Sequence, residues 1–171
     1  MELLSHEWLT YYGNLIHSVN EIANSFSIDP NWVKAIISQE SQWNVAVARF
    51  ERNYNYLYQP EKFTGPLNNL STEMTLQKVS WGLGQVMGGL AREQGYTGPL
   101  AALIDPTLNI SHIAHRIVTL KKYAQTPEDI FAGYNGGLGA IHKEVGVYSN
   151  QAYVDACRQY LHKFETASNL S

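Results

Sequence analysis

The sequence predicts a mainly α-helical fold in a single domain that covers residues 1–171. Hydrophobic residues make up 44% of the chain, enough for a sizeable core, yet 171 residues are too few for two ordinary domains. In several long segments the apolar residues recur with the 3.6-residue period of an α-helix. Three helix starts carry a capping side chain followed by proline at the first helical position.

The first two predicted helices lie near the N-terminus. One covers residues 5–26, where apolar side chains follow a single stripe. The next begins at Asp29-Pro30, an N-cap followed by proline, and continues to about Glu40. The stripe of the first helix consists of Leu9, Tyr12, Leu15, Ile16, Val19, Ile22, Ala23 and Phe26.

Three more helices are predicted in the C-terminal part of the chain. Asp105-Pro106 begins a longer helix in the same way as Asp29-Pro30, and a third such start at residues 126–127 is completed by Asp129 in a capping-box-like pattern. The last helix covers about residues 150–164. The predicted buried faces are Leu108, Ile113, Ala114, Ile117, Leu120 and Ala124, and in the last helix Tyr153, Cys157, Tyr160, Leu161 and Phe164.

Glycine and proline interrupt the helical pattern in three places. Residues 45–66 alternate aromatic and polar side chains, which predicts a loop with a short hairpin inserted into the helical body around residues 45–70. Residues 80–85 form a glycine-punctuated loop that leads into a helix near residues 86–94. Residues 135–139 are a second glycine-rich break.

Glu40 is a carboxylate in an unusual position. It lies three, four and seven residues after Ile37, Ile36 and Val33, so it shares their apolar face, and in the last turn it opposes the helix dipole. Burial disfavours the ionised form, so we expect a raised pKa. A carboxylic acid that is still protonated near neutral pH is what a general acid requires. The alternative is a frayed helix end with an exposed glutamate.

Four motifs then identify a family. In order they are Glu40-Ser41-x-Trp43-Asn44, Ser80-Trp81-Gly82-Leu83-Gly84-Gln85-Val86-Met87, Tyr134-Asn135-Gly136-Gly137 and Tyr153-Val154. Together they resemble the soluble lytic transglycosylases with a goose-lysozyme-like catalytic domain. The resemblance extends over about residues 32–160 and is closest to short phage and prophage members, in which an Arg-Phe/Tyr-Glu motif follows, here Arg49-Phe50-Glu51.

This resemblance implies a lysozyme-like domain with a cleft that binds peptidoglycan glycan strands. The implied reaction cleaves the β-1,4 bond between N-acetylmuramic acid and N-acetylglucosamine. Glu40 would protonate the leaving glycosidic oxygen and then, as a carboxylate, remove the proton from the muramyl C6 hydroxyl. That hydroxyl attacks C1 and leaves a 1,6-anhydro end without the use of water.

The resemblance also implies roles for other side chains. Ser80 matches a serine near the reacting sugar, Gln85 and Met87 match positions that line the cleft, and Tyr153 matches a tyrosine that holds the catalytic glutamate. The sequence departs from the family at Gly84 and Gly133, where a bulky residue and alanine are usual. The implied substrate-binding set, in which Tyr134 and Asn135 border the scissile bond, is Ser41, Glu51, Ser80, Gly82, Gln85, Met87, Tyr134, Asn135 and Tyr153.

Two other functions stay open. A muramidase would hydrolyse the same bond with water and normally needs a second carboxylate. Glu51 is the first candidate, although an ion pair with Arg49 or Arg52 would also explain it. The absence of aspartate between Asp29 and Asp105 favours the single-carboxylate reaction. A non-catalytic glycan-binding protein on the same fold is the other alternative, but a binder has no need of an acid.

Composition excludes several other classes of protein. A net charge of −3 provides no basic surface for nucleic acid, and a single cysteine, Cys157, excludes an internal disulfide and multi-cysteine zinc sites. His112 and His115 are interpreted as a solvated helix face, so no metal and no organic cofactor are predicted. Trp81 is either a cleft wall or a core residue. Three tyrosines either stack on sugars or cover the core: Tyr54, Tyr56 and Tyr58.

The N-terminus lacks the features of a signal peptide, and no segment is long and apolar enough for a membrane helix. We therefore expect synthesis in the host cytoplasm and no insertion into the membrane. A monomeric phage endolysin that reaches the cell wall after a holin opens the membrane fits best. A virion-associated enzyme that assists genome entry is the second biological setting.

Overall fold

The computed structural model describes residues 6–66, 68–141 and 147–168. Helix accounts for 63% of it, so the mainly α-helical prediction is confirmed. Three short 3-10 helices lie at Pro60–Phe63, Leu100–Ile104 and Leu138–Ile141. The described α-helices are α1 (His6–Ser25), α2 (Pro30–Glu40), α3 (Leu70–Gln77), α4 (Gly88–Glu93), α5 (Pro106–Leu120), α6 (Pro127–Gly136) and α7 (Gln151–Ser168), and the strands are β1 (Ala48–Phe50), β2 (Val79–Trp81) and β3 (Val86–Met87).

The chain divides into two compact units. Residues 1–39 and 114–171 form the helical unit, and residues 40–113 form the sheet-containing unit. The prediction of one domain over residues 1–171 stays a prediction. No helix among the described residues has the length and apolar character needed to cross a membrane.

The three helix starts are where the capping signals place them. The backbone N–H of Asn31 donates to Asp29 Oδ1 over 2.8 Å, and the N–H of Leu108 donates to Asp105 Oδ1 over 2.9 Å. Thr126 and Asp129 form a complete capping box at the start of α6. These side chains satisfy backbone donors that the helix itself leaves unpaired, so each start is determined locally.

The apolar faces are confirmed in part. Leu15, Val19 and Ala23 of α1 are buried, but Ile16 is 40% exposed because it lies at the edge of the stripe. The side chain of Leu9 lies outside the described residues. The remaining predicted positions divide into buried residues (Ile113, Ala114, Ile117, Leu120, Cys157 and Leu161) and half-buried ones (Tyr12, Ile22, Phe26, Leu108, Ala124, Tyr153, Tyr160 and Phe164).

The sheet corrects the loop predictions. β1, from the predicted insertion, pairs antiparallel with β2, and β2 pairs antiparallel with β3. β2 and β3 form one antiparallel hairpin, and the predicted insertion contributes β1 together with an isolated antiparallel bridge between Gly65 and Asn68. Ser80 and Trp81 belong to a strand, Val86 and Met87 to another, and α4 begins only at Gly88. Strands of two and three residues are too short to show an alternating pattern. Helix α3 was not predicted, although Asn69 caps its start by accepting from the N–H of Thr72 over 2.9 Å.

Candidate functional site

Glu40 is the last residue of α2, and its side chain is half-buried. Val33, Ile36 and Ile37 on the preceding turns are fully buried, as their shared face predicts. The helix is formed up to Glu40, so the alternative of a frayed end with an exposed glutamate is wrong. The structure places a carboxyl group at the margin of an apolar helix face.

The chain turns sharply directly after Glu40. Gln42 and Trp43 both have left-handed backbones, with φ of 50° and 67°, which residues with a Cβ rarely adopt. The N–H of Asn44 donates to Ser41 O over 3.0 Å and its Oδ1 accepts from the N–H of Ala46 over 3.0 Å. Two consecutive strained residues cost roughly 1–3 kcal/mol each and are typical of functional sites. The Glu-Ser-x-Trp-Asn motif is thus a strained turn, which the sequence analysis did not predict.

Ser80 lies at the centre of a polar cluster in the sheet-containing unit. Its buried hydroxyl is 3.2 Å from Glu51 Oε1, 3.0 Å from Gln85 Oε1 and 3.3 Å from Arg49 O. All three neighbours are acceptors, and the hydroxyl has one hydrogen, so it can donate to only one of them at a time. In the β2–β3 register Ser80 is opposite the half-buried Met87, so both side chains project from the same face of the sheet.

Glu51 forms an ion pair with Arg49, which was one of the two roles predicted for it. Arg49 Nε lies 2.6 Å from Glu51 Oε1, while the two side chains are 67% and 32% exposed. Arg49 and Ser80 are paired residues in β1 and β2, so the strand register brings the cluster together. A role for Glu51 in orienting water or sugar stays a prediction.

Gln85 is hydrogen-bonded within its own unit at both ends of its amide. Nε2 donates to Gly82 O over 2.9 Å and to Val47 O over 3.3 Å, while Oε1 faces Ser80. Its φ of 48° places it in the left-handed region, as does the φ of 63° at Gly82. The side chain therefore holds the β2–β3 turn and orients Ser80. Its predicted contact with sugar groups stays a prediction.

Asn109 of α5 supports the same turn. Its Nδ2 donates to Trp81 O over 2.8 Å and to Leu103 O over 2.7 Å, and its Oδ1 accepts from the N–H of Gly84 over 2.8 Å. The side chain is fully buried. Gly84 belongs to this turn and is buried, so it does not line an open groove. The sequence analysis missed Asn109, although a polar residue on the apolar face of α5 was a usable signal.

The helical unit contains the other predicted site residues. Tyr134 is half-buried and Asn135 exposed in the last turn of α6, and Tyr153 is half-buried in the first turn of α7. Asn150, directly before α7, donates from Nδ2 to Asn135 Oδ1 over 3.0 Å. A Cβ on Gly133 would lie 2.8 Å from Leu120 Cδ2, so the alanine usual at this position would require the side chains of Leu120 and Ile141 to shift.

The residues set aside in the sequence have different surroundings. His115 is exposed, but the solvated-face interpretation is wrong for His112, which is 8% exposed and hydrogen-bonded to Gln94. Cys157 is fully buried, as expected of a core residue. Trp81 is buried and its Nε1 donates to Leu76 O over 3.4 Å, which favours the core interpretation. Within the described ranges, no three His, Cys, Asp or Glu side chains form a metal-binding group.

For the tyrosines of the insertion, both roles, stacking on sugars and covering the core, stay predictions. Tyr56 is 53% exposed, packs edge-on against the half-buried Tyr54 and donates to Glu93 Oε1 over 3.1 Å. The backbone of the half-buried Tyr58 is bonded by the amide of Gln77. Part of the cluster therefore covers the unit, while Tyr56 also faces solvent.

A comparison with protein-family models matches most of this chain. The model described as Transglycosylase SLT domain matches residues 17–155. That range includes Glu40, the strained turn, the Ser80 cluster and the α6–α7 residues. A search of curated proteins finds no match to the chain.

Proposed function

Because the chain belongs to the transglycosylase SLT domain family, we propose that it is a lytic transglycosylase that forms 1,6-anhydromuramic acid ends on peptidoglycan. Family membership supports the general function, peptidoglycan degradation of the lytic transglycosylase type on a lysozyme-like fold. One observation carries the specific chemistry: the half-buried carboxyl of Glu40 lies at the end of an apolar helix face and is followed directly by a strained turn.

Glu40 supplies both proton transfers of the proposed reaction. The protonated carboxyl donates its proton to the glycosidic oxygen as the bond from C1 to that oxygen breaks. The resulting carboxylate then takes the proton from the muramyl C6 hydroxyl, whose oxygen bonds to C1. The glutamate is thereby returned to its starting protonation state, and no water is consumed.

The environment of Glu51 supports this single-carboxylate reaction over hydrolysis. Its Oε1 is engaged by Arg49 and faces the hydroxyl of Ser80, which is the environment of a structural carboxylate. Hydrolysis stays the second candidate, because the 32% exposure of Glu51 leaves room for a water molecule on its open side. In that case Glu51 would orient the water.

The test is digestion of purified peptidoglycan followed by mass spectrometry of the released muropeptides. We expect products lighter by one water than reducing sugars, and a rate at least about 100-fold lower for Glu40→Gln, because a general acid contributes roughly 10²–10⁴-fold. Glu61→Gln, at an exposed carboxyl, is the matched control and should keep the wild-type rate. If the wild-type products carried reducing ends and Glu51→Gln no longer released such products, the protein would be a hydrolase. No products from folded wild-type protein, with glycan binding kept, would indicate a binder.

We further propose that the enzyme is a monomeric phage endolysin that needs no cofactor, made in the host cytoplasm and released to the wall by a holin. The support is the resemblance to short phage members through Arg49-Phe50-Glu51. In bacteria that express the protein, culture turbidity should fall only after the membrane is permeabilised. Lysis without permeabilisation would contradict this route, and detection of the protein in purified virions would favour the entry role.

A further inference from the structure

Asn150 binds the C-terminal turn of α6 with one amide group. Its Nδ2 donates to the backbone carbonyl of Ala132 over 3.1 Å and to Oδ1 of Asn135 over 3.0 Å. A Cβ on Gly136 would lie 3.2 Å from that nitrogen, so the missing side chain at Gly136 gives the Asn150 amide its room. Both hydrogens of the amide are therefore used on α6.

The carbonyl of Ala132 determines the orientation of both asparagine side chains. A backbone carbonyl only accepts hydrogen bonds, so the atom of Asn150 that faces it must be nitrogen and not oxygen. The second hydrogen of that nitrogen must in turn meet an acceptor, so the atom of Asn135 that faces Asn150 must be Oδ1. Its Nδ2 then projects from the opposite side of its amide, on an exposed side chain.

This orientation is kept although it has a cost. Oδ1 of Asn150 is buried and has no hydrogen-bond partner among the described residues. A buried acceptor without a partner destabilises a protein, because it has lost its hydrogen bonds to water and gained none. Reversing the Asn150 amide would place oxygen against the Ala132 carbonyl, so the polarity of the pair is fixed by the backbone and not by the surrounding solvent.

We infer that Asn150 is a positioning residue that makes Asn135 a hydrogen-bond donor to the glycan. The group it would meet is an acceptor of the amino sugar, such as an acetamido carbonyl or a ring or hydroxyl oxygen. The inference rests on the proposed function, in which Asn135 contacts substrate. Asn150 itself acts through Asn135.

A double-mutant cycle tests this role. The variants Asn150→Ala, Asn135→Ala and the double substitution are compared in kcat and KM on purified peptidoglycan, with thermal unfolding measured in parallel. We expect Asn150→Ala to lower kcat/KM about 10-fold, which corresponds to 1.4 kcal/mol, and to change it less than about 2-fold when Asn135 is already alanine. Asn24→Ala, at an exposed position of α1, is the control and should leave kcat/KM unchanged.

A second variant tests the polarity of the pair, and its thermal unfolding is measured alongside because its carboxylate has no donor for the Ala132 carbonyl. Asn150→Asp keeps the shape but offers only oxygen to Asn135, which would then turn its own nitrogen inward and present oxygen to the glycan. We expect a loss at least as large as in Asn150→Ala. Equal losses from Asn150→Ala in both backgrounds, or wild-type kinetics in Asn150→Asp, would overturn the positioning role while the proposed function stands. Absence of products from the wild-type protein would overturn both.

Discussion

Asn109 is the residue whose side chain holds the β2–β3 turn. Its amide uses two donors and one acceptor on three backbone groups, all buried. We expect Asn109→Asp to lower the free energy of unfolding by on the order of 3 kcal/mol, because a carboxylate would face the carbonyls of Trp81 and Leu103 without a donor. Urea unfolding at pH 7 measures it. Asn55→Asp, at an exposed position, should stay within about 0.5 kcal/mol of wild type. Equal stability of the two variants would contradict the assigned contacts.

Single residues differ in how far the sequence reveals them. Glu40 could be identified because its evidence is local, a charge at helical spacing from three apolar residues. Asn109 carries a similar local signal on the apolar face of α5, but the bonding partners of Asn109 and Asn150 could not be predicted. Their partners are carbonyls 28 and 18 residues away, and only the folded chain brings them within hydrogen-bond distance. Fixed amide polarity is a property of that tertiary arrangement.

Helices and strands were likewise predicted correctly only where the evidence for them is local in the sequence. The starts of α2, α5 and α6 were predicted correctly because each capping side chain bonds to N–H groups two or three residues away. The pairing of β1 with β2 was not predicted. Arg49 and Ser80 are 31 residues apart, and strands this short are stabilised by their neighbours more than by their own pattern. The polar cluster around Ser80 depends on that pairing.

The contact between α3 and α4 depends on a missing side chain. Gly88, the first residue of α4, is buried, and a Cβ on it would lie 2.8 Å from Cα of Gln77 at the end of α3. Because a backbone atom cannot move aside as a flexible side chain can, we expect Gly88→Ala to destabilise the protein by about 2 kcal/mol. Gly13→Ala, in α1, should instead stabilise by up to about 1 kcal/mol, because among the described residues no atom beyond its chain neighbours and its own helix backbone lies within 4 Å of the added Cβ. Urea unfolding measures the change in the free energy of unfolding for both variants. A change of the same sign in both would contradict the assigned contact at Gly88.

Within the described part of the chain, each unit contains a buried carboxylate with a lowered pKa. Desolvation alone would raise the pKa of Glu73, but hydrogen bonds from Arg92, Gln77 and Asn68 and the charge of Arg92 outweigh it. In the helical unit, desolvation would likewise raise the pKa of Asp129. Hydrogen bonds from Tyr148 and from groups at the start of α6 outweigh it and lower that pKa. Arg92 reaches Glu73 with two nitrogens, at 2.8 and 3.0 Å.

These two carboxylates predict acid lability. A carboxyl whose pKa is lower in the folded than in the unfolded state stabilises the fold fully above the ordinary values, 4.5 for Glu73 and 3.8 for Asp129. That stability is lost as the pH falls from there through the folded-state pKa, because the unfolded chain then binds more protons. We therefore expect the free energy of unfolding, measured with urea from pH 7 to pH 3, to decline only in the acid part of that range.

Glu73→Gln separates this contribution from the others. It leaves Arg92 buried without a negative partner, so we expect a loss of about 3 kcal/mol at pH 7. Its stability should also decline less steeply with acid than that of wild type, since one of the two titrating groups is gone. Glu61→Gln, at an exposed carboxyl, should keep the wild-type curve. If the curve of Glu73→Gln ran parallel to that of wild type, the ion pair would stabilise the fold through packing and not through the charge of Glu73.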